Sequence, residues 1–137
     1  MSLDKKILVF TATYNEADNI VDLVNSIMKQ NFKPDLLIID DSSPDGTSEK
    51  ILFMQKELKN LFLIKRSEKL GLDSAHKEAY NYALKNNYDY LITMDADFSH
   101  DPNELINKLK GSTENFHIYT FGGLKETNSW LTKNNYV

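Results

Sequence analysis

Short apolar runs alternate with amphipathic stretches along most of the chain. Ile7-Leu8-Val9-Phe10 predicts a strand. Ile20, Leu23, Val24, Ile27 and Met28 then follow the i, i+3, i+4, i+7, i+8 spacing of a helix with one apolar face. Leu36-Leu37-Ile38-Ile39, entered after Pro34, predicts a second strand. A helix beginning between Asp45 and Ser48 is expected to pack through Ile51, Leu52 and Leu58. Leu61-Phe62-Leu63-Ile64 predicts the third strand, and Leu72, Ala75, Ala79, Tyr82 and Ala83 mark the helix after it. The fourth strand covers residues 90–94. Asp101-Pro102-Asn103-Glu104 reads as a helix start, with a cap, a Pro at the first position and an acid at the third. Leu105, Ile106 and Leu109 give that helix its apolar face. Beyond Lys110 the pattern weakens: Ile118-Tyr119-Thr120-Phe121 is a further strand candidate, and residues 128–134 fit neither period.

Regular strand–helix alternation predicts an α/β fold with a mostly parallel sheet flanked by helices. The strands are near-continuous apolar runs, as burial on both faces requires. With 137 residues, no internal repeat and no linker, the chain is expected to form a single domain, residues 1–137.

Composition narrows the function classes. Hydrophobic content of 41% and charged content of 26% are those of a globular protein. A net charge of −4 argues against a nucleic-acid binder, which shows a basic excess. The absence of cysteine excludes disulfides, zinc–thiolate sites and cysteine nucleophiles. Residues 1–6 lack the apolar core of a signal peptide, and no apolar run approaches the ~20 residues of a spanning helix. The expected location is the cytoplasm, or the periphery of the cytoplasmic membrane face.

In open α/β sheets ligands bind outside the carboxyl ends of the strands. The polar clusters fall there. Strand one runs into Thr11-Ala12-Thr13-Tyr14-Asn15-Glu16, and strand two into Asp40-Asp41-Ser42-Ser43-Pro44-Asp45-Gly46-Thr47. Strand three ends at Lys65-Arg66-Ser67-Glu68-Lys69, with Gly71 beyond. Strand four delivers Asp95, Asp97, Ser99 and His100. Two carboxylates one residue apart at a strand end can hold a hard divalent cation beside a diphosphate. With twelve aspartates in the chain, one D-x-D is expected by chance, so context must carry it. Each cluster also has a purely structural reading. Ser-Pro-Asp-Gly is good turn chemistry, so Asp40 and Asp41 could serve a turn. Asn15 and Glu16 could cap a helix, Tyr14 could pack over the sheet edge, and Arg66 and Lys69 could pair with Glu68. Four clusters on one edge weigh against all four being structural.

Together these blocks resemble the polyprenyl-phosphate (dolichol-phosphate) mannosyltransferase group of family 2 glycosyltransferases. The residues that carry the resemblance are Thr13 to Glu16, Asp40 to Thr47, Arg66 with Lys69-Leu70-Gly71-Leu72, and Met94-Asp95-Ala96-Asp97-Phe98-Ser99-His100, over about residues 6–110. The resemblance implies a GT-A (Rossmann-like) fold. It implies inverting transfer of a hexose, mannose first, from a nucleoside diphosphate to a polyprenyl phosphate at the membrane surface. GDP-mannose is the family default and UDP-sugars are the competitors. By the same carry-over Thr13, Tyr14 and Glu16 line the nucleoside pocket, Asp40 or Asp41 contacts the base or ribose, and Arg66 and Lys69 lie along the nucleotide. Asp95 and Asp97 form the catalytic metal motif, with Asp97 the expected direct ligand and Ser99 completing it around Mg²⁺ or Mn²⁺. Carboxylate and hydroxyl oxygens suit those ions rather than zinc.

The chain departs from the family at Ala12, where Pro is usual, and at Asp73 and Ala79, where Gly is usual. After Lys110 the correspondence lapses: Gly122-Gly123 and Trp130 echo the family pattern without its Ser-Arg, and Lys133 stands near an expected Arg. The acceptor-binding portion is therefore expected to be truncated or divergent. A competing reading is a catalytically impaired nucleotide-binding module that acts through a partner chain or a second copy. A third is a receiver-like or phosphatase-like domain with clustered aspartates.

Overall fold

The computed structural model describes residues 6–30, 33–96 and 117–120, the last as backbone. The elements run β1 (Ile7–Thr13), α1 (Ile20–Met28), β2 (Asp35–Asp41), α2 (Thr47–Met54), β3 (Leu61–Arg66), α3 (Leu72–Lys85), β4 (Tyr90–Thr93) and β5 (His117–Thr120). They form one sheet in the order β3-β2-β1-β4-β5. The first four strands are parallel, and β5 joins β4 antiparallel. The helix expected from Asp101 lies outside the described residues.

Alternation of side chains along each strand divides the interior into two layers. Ile7 and Val9 of β1 and Leu36 and Ile38 of β2 pack with Ile20, Leu23, Val24 and Ile27 of α1 and Ile51 of α2. Leu8 and Phe10, with Leu37 and Ile39, pack on the other side against Ala75, Ala79 and Ala83 of α3. The alanine stripe lets α3 lie close to the sheet, and the Phe10 ring meets His76 edge-on at 5.4 Å. At ~1.5–3 kcal/mol for each fully buried aliphatic side chain, the four α1 residues anchor that helix without a side-chain cap.

Three expectations change. Leu52 is 51% exposed and Leu72 55%, so neither belongs to its helix's packing face. β3 is an edge strand, and Phe62, Leu63 and Ile64 are only half-buried. The strands also reach further than their apolar runs: β1 to Thr13, β2 to Asp41 and β3 to Arg66. Parallel pairing continues into the polar residues and fixes their mutual register.

Among the described strands the order reverses at a topological switch point. From β1 the chain moves outward to β2 and β3, then crosses back through α3 to β4 on the other side of β1. Pairing of β1 with β4 ends at Phe10↔Thr93 and a bond from Met94 N to Phe10 O (3.0 Å), while β1 pairs with β2 as far as Thr13↔Asp40. The strand ends diverge there, where ligand crevices form in such sheets.

Candidate functional site

The loops after β1 and β2 are laced together by side chains of the second and backbone amides of the first. Asn15 N donates to Ser43 Oγ (2.8 Å), Glu16 N to Thr47 Oγ1 (3.0 Å) and Ala17 N to Asp45 Oδ2 (3.0 Å). Lys50 Nζ closes the lacing on Ala17 O at 2.8 Å. Asp45 also accepts from the amide and hydroxyl of Thr47, which starts α2. Those bonds, the Thr47 hydroxyl first, hold the Asp45 carboxyl below its usual pKa. Gly46 sits at φ 90°, a conformation that disfavours any side chain. Asn15 (φ 58°) and Ser42 (φ 56°) also hold left-handed backbone, so this edge carries local strain.

Asp40 and Asp41 point to opposite faces of the sheet. Asp40 is fully buried on the α1/α2 side. It accepts from Thr13 Oγ1 (2.6 Å), Ser43 Oγ (2.6 Å), Ser43 N (3.1 Å) and Ser48 Oγ (2.7 Å). Burial pushes its pKa up, but the bonds from Ser43, Thr13 and Ser48 outweigh burial and hold it below the ordinary value. Asp41 lies on the α3 side, in register with Arg66. The pair is bidentate: Arg66 Nη2 reaches Asp41 Oδ2 at 2.8 Å, and Nε reaches Oδ1. Arg66 Nη1 donates to Ser74 Oγ (2.9 Å) and lies 3.5 Å from Glu78 Oε2; Nη2 also reaches Gly71 O (3.2 Å). The bond to Asp41 raises the Arg66 pKa further, so its charge is permanent.

Of the residues singled out from the sequence, Thr13, Asp40, Asp41 and Arg66 are buried and engaged with protein partners. Tyr14 is 41% exposed, and Lys69 Nζ lies 4.5 Å from the centre of its ring. Glu16 is half-buried and accepts from Asn19 Nδ2 at 3.1 Å. Asp95 is exposed beyond the end of β4, across the switch point from the β1 loop. Asp97, Ser99 and His100 lie outside the described residues. Among those described, no three His, Asp or Glu side chains are grouped to hold a metal. Of the expected Asp95–Asp97 motif, only Asp95 lies within the described residues.

Sequence reading missed that Ser74 and Glu78, four residues apart on α3, grip Arg66. Their i, i+4 spacing was visible, but not the strand end they face. It also took residues 43–47 as a block without seeing that their side chains shape the neighbouring loop.

This sheet order, with helices on both faces and polar loops at the switch point, defines a Rossmann-like α/β domain of the GT-A kind. The chain belongs to glycosyl transferase family 2, whose family model matches residues 8–129. An undecaprenyl-phosphate mannosyltransferase of Micrococcus luteus is 32% identical over 100 residues, 73% of this chain and 41% of that protein. A polyprenol monophosphomannose synthase of Mycolicibacterium smegmatis is 32% identical over 104 residues, 74% and 38% respectively. The chain thus spans about two fifths of the length of these relatives (41% and 38%). Among solved structures, a mannosyltransferase from Pyrobaculum calidifontis in complex with GDP-Man and Mn²⁺ superposes with a TM-score of 0.57 and 25% identity, over 70% of this chain and 29% of that one. TarS of S. aureus in complex with UDP-GlcNAc gives 0.53 and 26%, over 67% and 26%.

Proposed function

We propose that this chain carries the donor-binding part of an inverting glycosyltransferase that moves a hexose, mannose first, from a nucleoside diphosphate to a polyprenyl phosphate. The observation that carries the reading is the switch-point edge itself: the exposed Tyr14 and Lys69 with the half-buried Glu16 on one side, and the exposed Asp95 on the other. The names of the two mannosyl-transferring relatives support the sugar and the acceptor. The complexes with GDP-Man and with UDP-GlcNAc keep both nucleotides in contention.

In this reading Tyr14 offers a ring face to the base, with Thr13 and Glu16 beside it. Asp41 is the better candidate than Asp40 to reach base or ribose, because Asp40 has no exposed surface and four donors already. Lys69, beside the Tyr14 ring, brings a positive charge to the nucleotide. Asp95, with Asp97 and Ser99, would hold Mg²⁺ or Mn²⁺. When bound, that ion would stabilise the charge on the departing diphosphate. An oxygen of the acceptor phosphate attacks the anomeric carbon as its bond to the diphosphate breaks. A phosphate is already ionised near neutral pH, so no strong general base is required. A polyprenyl chain is a membrane lipid, so its phosphate would be met at the membrane surface. No helix among the described residues is long and apolar enough to cross a membrane.

Thermal melts with GDP or UDP and Mn²⁺ test the binding step. A Mn²⁺-dependent rise in Tm, absent in Asp95→Asn, is expected; no rise with either nucleotide would sink the proposal. Transfer of radiolabelled sugar to a short polyprenyl phosphate tests turnover. Binding without transfer would select the nucleotide-binding module, which one observation favours: Arg66 is the only arginine in the sequence and is buried in protein contacts.

A further inference from the structure

We infer that Arg66 is a positioning residue whose guanidinium holds residues 67–71, and with them Lys69, against Tyr14. A guanidinium has five N–H groups. Here Nε and one Nη2 hydrogen face Asp41 on β2, and the other Nη2 hydrogen faces Gly71 O at the foot of α3. The Nη1 hydrogens face Ser74 Oγ and Glu78 Oε2 within α3. Four hydrogen bonds and one ion pair thus direct the guanidinium towards protein partners rather than towards a diphosphate. The local charge argues the same way, because two carboxylates, Asp41 and Glu78, flank the one cation.

The segment this arginine grips has little else to order it. Residues 67–71 are all exposed. The amide of Leu70 reaches back to Asp41 Oδ2 at 3.3 Å, sharing the oxygen that accepts from Arg66 Nη2. Lys69, next along, places its ammonium 4.5 Å from the Tyr14 ring centre. A continuous series of contacts therefore runs from α3 through Arg66, Asp41 and Leu70 to the Tyr14–Lys69 pair. Fixing a loop residue costs about 1–2 kcal/mol in backbone entropy, so an ordered exposed segment needs such a clamp.

The inference deepens the proposed nucleotide reading and rests on it for its consequence, but not for its geometry. Two measurements separate them: hydrogen exchange of residues 67–71 without ligand, and titration of GDP and of UDP with Mn²⁺. A lysine keeps the charge but loses the planar fork. In Arg66→Lys, exchange at Leu70 is expected to rise about tenfold and nucleotide affinity to fall about tenfold, with the β1 and β2 amides unchanged. Ser74→Ala, which removes one bond to Nη1, is expected to shift both about threefold in the same directions. Lys69→Met should weaken binding and leave exchange alone. Arg66→Lys that weakens binding with Leu70 exchange at the wild-type rate would overturn the inference, because Arg66 would then be touching nucleotide. Unchanged exchange in both clamp variants would overturn it as well. If the wild type binds neither nucleotide, the functional proposal fails and the exchange data alone decide this one. Should Arg66→Lys not fold, Ser74→Ala carries the same test.

Discussion

The neighbours Asp40 and Asp41 have opposite duties because consecutive strand residues face opposite sides of the sheet. Asp40 ties the ends of β1 and β2 to the start of α2, while Asp41 ties β2 to β3 and, through Arg66, to α3. Asp40→Asn keeps the shape but turns an amide towards hydroxyl donors, so a loss of about 2–4 kcal/mol is expected in urea unfolding near neutral pH. The pH dependence has a definite sign. The folded pKa of Asp40 lies below its unfolded value of 3.8. Its stabilisation is complete above that value and disappears as pH falls through the lower folded one. The gap between wild type and Asp40→Asn should therefore narrow below about pH 4; a gap constant to pH 2 would contradict the assignment. The sequence pointed to this Asp-Asp pair but left open which carboxylate is buried. That depends on which helices cover which face. Thr13 stands 27 residues from Asp40, and no local pattern announces their bond. The pairing of Arg66 with Asp41 was not legible for the same reason, since it follows from strand register.

At the scale of elements, apolar periodicity located the described helices and strands but misjudged which residues face inward. α2 has the weakest pattern: Ile51 is fully buried while Leu52 and Phe53 are exposed. The expectation for Leu52 failed because a short helix with two adjacent aliphatics fits more than one face. Ile51→Ala should cost about 2–5 kcal/mol, whereas Leu52→Ala should stay within about 0.5 kcal/mol. Equal losses in the two variants would mean that α2 is rotated from its described position. α3 shows the converse: its inward stripe is Ala75, Ala79 and Ala83, while the larger Leu72 and Leu84 remain exposed. Small residues signal close packing only once the partner surface is known.

In the whole molecule the sheet separates two apolar layers, one under α1 and α2 and the other under α3. Ile27 belongs to the first and Ile39 to the second, each fully buried. Ile→Val at either position should cost about 0.5–1.5 kcal/mol. The double variant should lose the sum to within about 0.5 kcal/mol, in a single unfolding transition. A large departure from additivity would show the layers communicating through the sheet. The parallel α/β class was legible because strand–helix alternation implies it. Strand order was less so: alternation does not say that β4 crosses to the far side of β1. That crossing creates the switch point, with the first loop beyond β1 on one side and Asp95 beyond β4 on the other.

The lacing of the first two loops separates shape from recognition. The β1 loop owes its form to Ser43, Asp45 and Thr47, which grip its amides without engaging its side chains. Tyr14 and Glu16 can therefore be exchanged without dismantling the scaffold beneath them. A library that randomises residues 14 and 16 while keeping Asn15, whose backbone is left-handed, and the Ser43–Thr47 segment would search new ligand preferences on a nearly constant backbone. The same library placed at residues 43–47 would mostly yield misshapen loops.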